Sequence, residues 1–306
     1  MARPLNLSVS QAGTFTACQR KWFYGYRKRW RDDGSIAADF GSAWHAAMDV
    51  VWLHATSEGM GDKDAALTNA RNAFDRTWGD KRPEVPEDEW RGVELGHDML
   101  ELYVAQNWER ITGFELLGVE TSFKVPLTSE VNAVGRIDKV FRDKRDGRVY
   151  VVDHKTCSAY SKADGIRPQW WESFLLSPQV AAYILATRES HPDATFGGFV
   201  VDAALVHKTV RHFERRLFNR TDGQMQAYKD ETLAIKAGMD AADAAGIYPK
   251  NLGACNDFGG CPFAPLCYQF PSVKDLPQDP PEWLHGVYST NTTTEQRLGI
   301  STGGKP

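Results

Sequence analysis

From the N-terminus, apolar positions first recur at helical spacing. Phe15, Cys18, Trp22 and Tyr26 fall every three or four residues within Ala12–Tyr26, and Ser8 and Ser10 stand ahead as candidate caps. A polar break, Arg31–Gly34, ends this segment. Phe40–Thr56, Asp64–Trp78 and Glu87–Ile111 repeat the helical pattern, with Pro83 and Pro86 punctuating the last gap. After Leu116 the period shortens to two. Leu117–Val125 alternates as a strand does, Asn132–Arg142 predicts a second strand, and Lys144–Gly147 a turn. Val149–Lys155 is apolar enough to lie centrally in a sheet. A helix over Gln179–Ser190, strands over Phe196–His207 and Phe213–Phe218, and a helix over Asp222–Ala245 complete the series.

This order predicts an α/β fold: a helical region (1–115), a core with a central mixed β-sheet (116–218), and a helix followed by a cysteine-bearing cap (219–271). Residues 1–271 read as one domain. Ser272–Pro306, rich in Pro, Ser, Thr, Asn and Gly, reads as a poorly ordered tail.

Composition narrows the picture. With 42% hydrophobic and 25% charged residues the chain is ordinary for a globular protein. No apolar run reaches the ~20 residues that span a bilayer, and the first residues lack a signal-peptide core. The expected location is the cytoplasm, with no membrane partner. A net charge of −4 argues against coating nucleic acid by global electrostatics, but a local groove is compatible with it. Arg20–Arg31 interleaves six Lys/Arg with five aromatics, starting at Arg20 and Lys21. Such a stretch either stacks bases and follows phosphates or forms a solvated helix whose aromatics face the core.

Chemistry concentrates in Val134-Gly-Arg-Ile-Asp138 and Tyr150-Val-Val-Asp153-His-Lys155-Thr156. On a strand, Asp153 and Lys155 project to one face and His154 to the other. A hairpin through Gly147 would bring Asp138 beside them. Two carboxylates and a lysine at one strand end suit metal-assisted phosphodiester cleavage: the carboxylates hold a divalent cation and the amine stabilises developing charge. The competing reading is a surface ion pair beside a turn. His45, Glu120 and the Gln179/Tyr183 pair (i, i+4 on one helix face) are each compatible with ordinary packing when taken singly.

Cys255, Cys261 and Cys267 form C-x5-C-x5-C in a Gly/Pro-rich segment, and Cys18 is the natural fourth partner. An odd total of five argues against a disulfide framework. Four thiolates suit either structural zinc or a 4Fe-4S cluster, and spacing alone does not choose between them. Cys157, just past the Asp153 strand, reads as a packing residue.

Taken in order, these motifs resemble the RecB-type branch of the PD-(D/E)XK nucleases. LSVSQAGTFTACQRKWFY is similar to its S-x-S-x7-C-x-R opening, FGSAWHAAM to its G-x-x-x-H helix, GRID to its second motif, VVDHKT to its D-x-K strand and SPQVAAY to its Q-x-x-x-Y helix. The similarity runs from about Leu7 to Cys267. It implies a restriction-endonuclease-like core; His45, Asp138, Asp153 and the His154 carbonyl as ligands of Mg²⁺ or Mn²⁺; Lys155 as the catalytic lysine; and Gln179 and Tyr183 along the DNA path. Glu120 would be an additional contributor. The resemblance favours iron–sulfur over zinc at Cys18, Cys255, Cys261 and Cys267, although the x5 first gap departs from the commoner x2. The implied activity is a DNA exonuclease preferring single strands, similar to CRISPR-associated, AddB-like and phage enzymes, with recombination, repair or CRISPR-adaptation proteins as partners. The alternative is a non-catalytic nucleic-acid-binding subunit of such a complex, stapled by iron–sulfur or zinc.

Overall fold

The computed structural model describes residues 5–30, 34–57, 61–82, 84–86, 89–256 and 260–279. Its elements are β1 (Leu5–Ser8), α1 (Val9–Ala17), α2 (Gln19–Trp22), a π-helical turn over Phe23–Arg27, α3 (Ile36–Thr56), α4 (Lys63–Lys81), α5 (Val93–Ile111), β2 (Phe114–Pro126), β3 (Val131–Asp143) and β4 (Val149–Cys157). There follow the short β5 (Tyr160–Ser161) and β6 (Gly165–Ile166), α6 (Pro168–Glu172), α7 (Pro178–Ser190), β7 (Phe196–Val206), β8 (Arg211–Phe218), α8 (Asp222–Ala245) and α9 (Ala264–Gln269). Among the described residues, no helix is long and apolar enough to cross a membrane.

Among the described residues two compact units form, each from separated stretches: those within 35–121 with those within 136–220, and those within 5–34 with 122–135 and those within 221–279. In the first unit, β4 lies between an antiparallel partner, the later half of β3 (Lys139↔Val152), and a parallel one, β7 (Asp153↔Val201, His154↔Asp202). β8 runs antiparallel to β7 and sets Arg215 opposite Asp202. The sheet is mixed, as expected, and Val149, Val151 and Val152 are buried at its centre. Helices α3, α4 and α5 supply the apolar layer over it. On α3, Phe40, Ala43, Trp44, Ala47, Met48, Val51, Trp52 and Ala55 make one buried stripe at helical spacing. Trp52 stacks against Phe114 and packs on Phe141 of the sheet. Ser35 starts α3 as an N-cap, accepting from the Ala38 amide. One close approach positions the helix: a Cβ at Gly41 would lie 3.0 Å from Oγ1 of Thr156. Glycine there lets α3 run tightly over the end of β4, and His45 follows one turn later on the same face.

In the second unit, β1 pairs in parallel with the first half of β3 (Leu5↔Val131 to Ser8↔Val134). Leu7, Phe15, Trp22, Val131, Met239, Ala242 and Tyr248 build its core. Helix α8 begins with a reciprocal capping box between Thr221 and Gln224, and ends at Gly246 with φ 64°. Past Pro271, Val273 and Leu276 pack against the unit's apolar clusters. Of the tail expected over Ser272–Pro306, residues 280–306 fall outside the described residues.

Candidate active site

β4 places its side chains as the alternation requires. Asp153 and Lys155 share a face, and the Lys155 ammonium lies 2.7 Å from Oδ2 of Asp153. Asp138, on neighbouring β3, accepts the His154 backbone N–H at 2.9 Å and stands 3.1 Å from Nδ1 of His45. Glu120, on β2, sits at φ 48°, a backbone region that non-glycine residues rarely occupy. Donor atoms of His45, Glu120 and Asp138 all lie within 4.8 Å of one another. An imidazole nitrogen with two carboxylate oxygens is a donor set for Mg²⁺ or Mn²⁺. The structure therefore brings Glu120 fully into this trio. Asp153 adjoins it, held by Lys155 and by the Gln179 amide, which donates to its Oδ1 at 3.4 Å. Tyr183, one turn after Gln179, donates its hydroxyl to the Arg136 carbonyl at 2.6 Å, fixing the strand just before Asp138. Arg136 in turn places its Nε 2.6 Å from Glu120.

The two aspartates differ in their electrostatics. Burial alone would raise Asp138, but the hydrogen bond and charge of His45, with Lys155 and Lys139, hold it well below the usual carboxylate range. Burial dominates at Asp153 and pushes it up; Lys155 opposes this and Asp138 adds to it. For His45, burial works against protonation, but the hydrogen bond and charge of Asp138 outweigh it and raise the imidazole. Lys155 likewise is raised by Asp153 despite its burial. A divalent cation would compensate the charge gathered between these carboxylates.

Sequence reasoning missed the opposite face of β4. His154 is fully buried there, with Nδ1 3.3 Å from Asp202 on β7. Asp202 also meets Nε of Arg215 at 3.0 Å and accepts from the Tyr103 hydroxyl. Lys139, with no exposure, pairs with Asp49 of α3 at 2.7 Å. The available signal was a charged residue within an apolar strand, Asp202 in Phe199-Val-Val-Asp-Ala-Ala-Leu205.

In the other unit, the cysteine-rich segment runs beside Cys18 at the start of α2. Among the described residues, however, the cysteine sulfurs do not converge within 4.8 Å of one another as the donors of His45, Glu120 and Asp138 do. Cys18 occupies the break between α1 and α2 with extended backbone (φ −162°, ψ 113°). The Asn251 side chain donates to the Ala17 carbonyl at 2.8 Å, and the Arg20 amide to Pro249 at 3.2 Å, so the cysteine-rich segment is tied beside Cys18. The Cys261 amide donates to the Cys255 carbonyl at 2.8 Å. Burial raises the Cys261 and Cys267 thiols; Cys261 also feels Cys255 and Cys267, and Cys267 feels Cys18. All five cysteines are free. Cys157 is buried apart from these, its thiol pushed by burial to about 11.

Of the two readings of the basic–aromatic stretch, the aromatics follow the one in which they face the core. Trp22, Tyr24 and Trp30 are buried, and the Arg20 guanidinium is spent on the carbonyls of Tyr248, Phe270 and Pro271. The positive charges of Arg20 and Lys21 act on Cys267 and Cys261 respectively, favouring thiolates there.

Comparison with known proteins agrees with this architecture. Among solved structures, the chain is similar to a candidate exonuclease from Eubacterium rectale, with a TM-score of 0.51 and 15% identity over 82% of this chain and 86% of that one. At that identity the likeness concerns the fold. A search among curated proteins finds no match. Residues 6–268 match the family model of the PD-(D/E)XK nucleases, so the chain belongs to the PD-(D/E)XK nuclease superfamily.

Proposed function

We propose that the protein is a metal-dependent DNA exonuclease that prefers single strands and carries a 4Fe-4S cluster. The observation that carries the hydrolytic reading is the meeting of His45, Glu120 and Asp138 beside the Asp153–Lys155 pair. In this reading His45, Asp138 and Asp153, with Glu120 and the His154 carbonyl, hold Mg²⁺ or Mn²⁺. When bound, the cation supplies Lewis-acid stabilisation of the phosphate and a more acidic water. The protein's own groups do the rest. Lys155, kept protonated by Asp153, donates toward the charge that builds on the phosphate oxygens. Gln179 fixes the Asp153 carboxylate, and Tyr183 fixes the backbone that carries Asp138. Before a cation is present, the hydrogen bond and charge of His45 hold Asp138 ionised; to ligate the metal as well, the imidazole would have to be neutral.

What supports the cluster reading is the thiol chemistry: four free cysteines of one unit, Cys261 within the electrostatic reach of Cys255, Cys267 and Lys21, and Cys267 within that of Cys18, Arg20 and Lys250. Such a cluster would staple α2 to the cysteine-rich segment. Partners from DNA repair, recombination or CRISPR adaptation, or a phage setting, are compatible with a stand-alone nuclease of this family.

The test is digestion of end-labelled linear and circular single strands with Mn²⁺ or Mg²⁺. Short products from linear ends, with circles intact, are expected. Lys155→Ala should lower kcat about 10²–10³-fold. Circles cut as fast as linear strands would overturn the exonuclease reading, and wild-type rates in Lys155→Ala would overturn the site. Metal analysis after anaerobic purification should find iron and sulfide; zinc in a colourless protein would replace the cluster by a structural zinc.

A further inference from the structure

Immediately before the helix that carries Gln179, the chain exposes two leucines side by side. Leu175 is 55% and Leu176 88% accessible, although both follow a well-packed aromatic cluster. Phe174 packs on Trp170, Trp171 and Phe218 with ring centroids 4.9, 6.2 and 5.6 Å away. The loop's shape is fixed. Buried Arg220 donates to the Phe174 carbonyl at 2.7 Å and the Ser177 carbonyl at 3.2 Å, clamping the backbone on both sides of the leucines. The Leu175 amide donates to Glu172 at 3.0 Å. Pro178 then opens α7. A rigid support that presents apolar side chains outward differs from an apolar residue left exposed by chance on a mobile loop.

What meets these leucines follows from where the tip stands. Gln179 touches Asp153, and Leu176 is three residues earlier, so at most about 11 Å of chain separates them. That equals at most about three nucleotides of a stacked strand at ~3.4 Å each, and fewer once the bases are unstacked. Residues 173–179 carry no charge. The Arg216 guanidinium, 4.5 Å over the Trp171 ring, pairs with Glu214 at 2.6 Å, and half-exposed Arg136 pairs with Glu120 at 2.6 Å, so both are matched to carboxylates rather than left for phosphates. An uncharged apolar tip this near the site suits the base side of a nucleic acid strand rather than its phosphates.

We infer that Leu175 and Leu176 form a base wedge, inserting against the nucleobases within three nucleotides of the scissile phosphate and unstacking them so that the backbone can bend into the metal site. This rests on the nuclease reading above and adds the element that grips the strand. Apolar side chains used as wedges separate base steps in the same way.

The experiment uses the full-length protein in a Lys155→Ala background, so that binding is read without turnover. Oligonucleotides carry 2-aminopurine at each of the first several positions from the end. With the native tip, fluorescence should rise at positions within three nucleotides of the cleavage point. The Leu175→Ser/Leu176→Ser protein should lose this signal and bind roughly tenfold or more weakly, as expected for losing the burial of two leucine side chains. Both positions are exposed, so its melting temperature should match that of the parent. An abasic nucleotide at the responding position should abolish the difference between the two proteins. Equal affinity and equal fluorescence with either tip would overturn the wedge. So would unchanged DNA binding together with a loss of self-association or of a protein partner, which would assign the leucines to a protein interface. Failure of the wild-type enzyme to hydrolyse DNA while it still binds and unstacks bases would count against the proposed activity and leave the wedge standing. Absence of DNA binding would remove both.

Discussion

The buried cluster behind the catalytic strand makes a sharp prediction for Arg215→Met. Asp202 is 2% exposed, and its carboxylate is shared among Arg215 at 3.0 Å, His154 at 3.3 Å and the Tyr103 hydroxyl. Burial pushes Asp202 up, but the Arg215 charge and the His154 contact outweigh it and keep the carboxyl well below its ordinary range. Arg215 also donates to the Tyr103 oxygen at 2.7 Å, so one side chain supports both acceptors. Replacing the guanidinium by a methionine of similar volume leaves an ion in the interior with a tyrosine and a neutral imidazole for company. Breaking a buried pair by removing one partner costs about 3–5 kcal/mol. In a chain of this size that lowers the melting temperature by on the order of 10 °C. Removing both charges, as Asp202→Leu with Arg215→Met, should recover much of the loss, because well-packed apolar isosteres are often neutral at such sites. The assay is guanidinium unfolding of the two single variants and the double, followed by tryptophan fluorescence. A double variant whose loss equals the sum of the singles, or an Arg215→Met protein within about 1 kcal/mol of wild type, would refute the coupling.

The same cluster gives a pH dependence. Burial lowers His154 from 6.5 to about 4, so the native protein keeps its ring neutral while the unfolded chain takes up a proton. The His154 contribution should therefore be fully present above about pH 6.5 and be lost as pH drops toward about 4, by roughly 3 kcal/mol. The raised Asp153 and His45 oppose it, so it is read as the difference in slope between wild type and His154→Gln. Chemical denaturation at pH 7 and pH 5 measures it, and a His154→Gln protein that kept the full slope would reject the assignment. In the other unit, Cys18→Ala should lose iron and visible absorbance together and melt at lower temperature; full iron content in that variant would exclude Cys18 as a ligand.

The readable parts of the sequence were those governed by short-range periodicity. The i, i+2 rule placed Asp153 with Lys155 and turned His154 away, and the hairpin through Gly147 put Asp138 next to them. Helix α8 and strand β7 lie within a residue of where the pattern sets them. Legibility failed where a long-range partner decides. Cys18 falls inside an expected helix, yet it sits at a break with extended backbone, because Asn251 and Arg20 tie another segment there. Arg20–Arg31 has a composition suited to nucleic acid, but composition does not encode direction, and the rings turn inward against Tyr248 and Phe263. Strand β1 is four residues long and has no periodicity of its own to detect. Glu120 could be placed on a strand, but its position beside His45 depends on a left-handed backbone angle that no local rule demands of glutamate.

These observations connect through the geometry of β4. Alternation puts the residues that would carry the chemistry one position away from those that anchor the strand, so the two faces cannot move independently. Asp153 and Lys155 face the site, while Val152 and His154 turn to the α3 side, His154 against Trp52 and beside Asp202 of the adjacent strand. The reactive face gathers carboxylates that repel one another without a cation, and burial at Asp153 worsens this. A strand bearing such repulsion would tend to shift or twist until its carboxylates part. The Asp202–Arg215–Tyr103 cluster and the Lys139–Asp49 pair oppose that tendency with directional, desolvated contacts at the backbone positions flanking Asp138 and Asp153. Their position explains why charged residues occupy an interior that apolar side chains could fill: alternative registers of β3, β4 and β7 would strand those charges unpaired. A buried ion network one residue behind the site thus fixes where the carboxylates stand before any cation arrives.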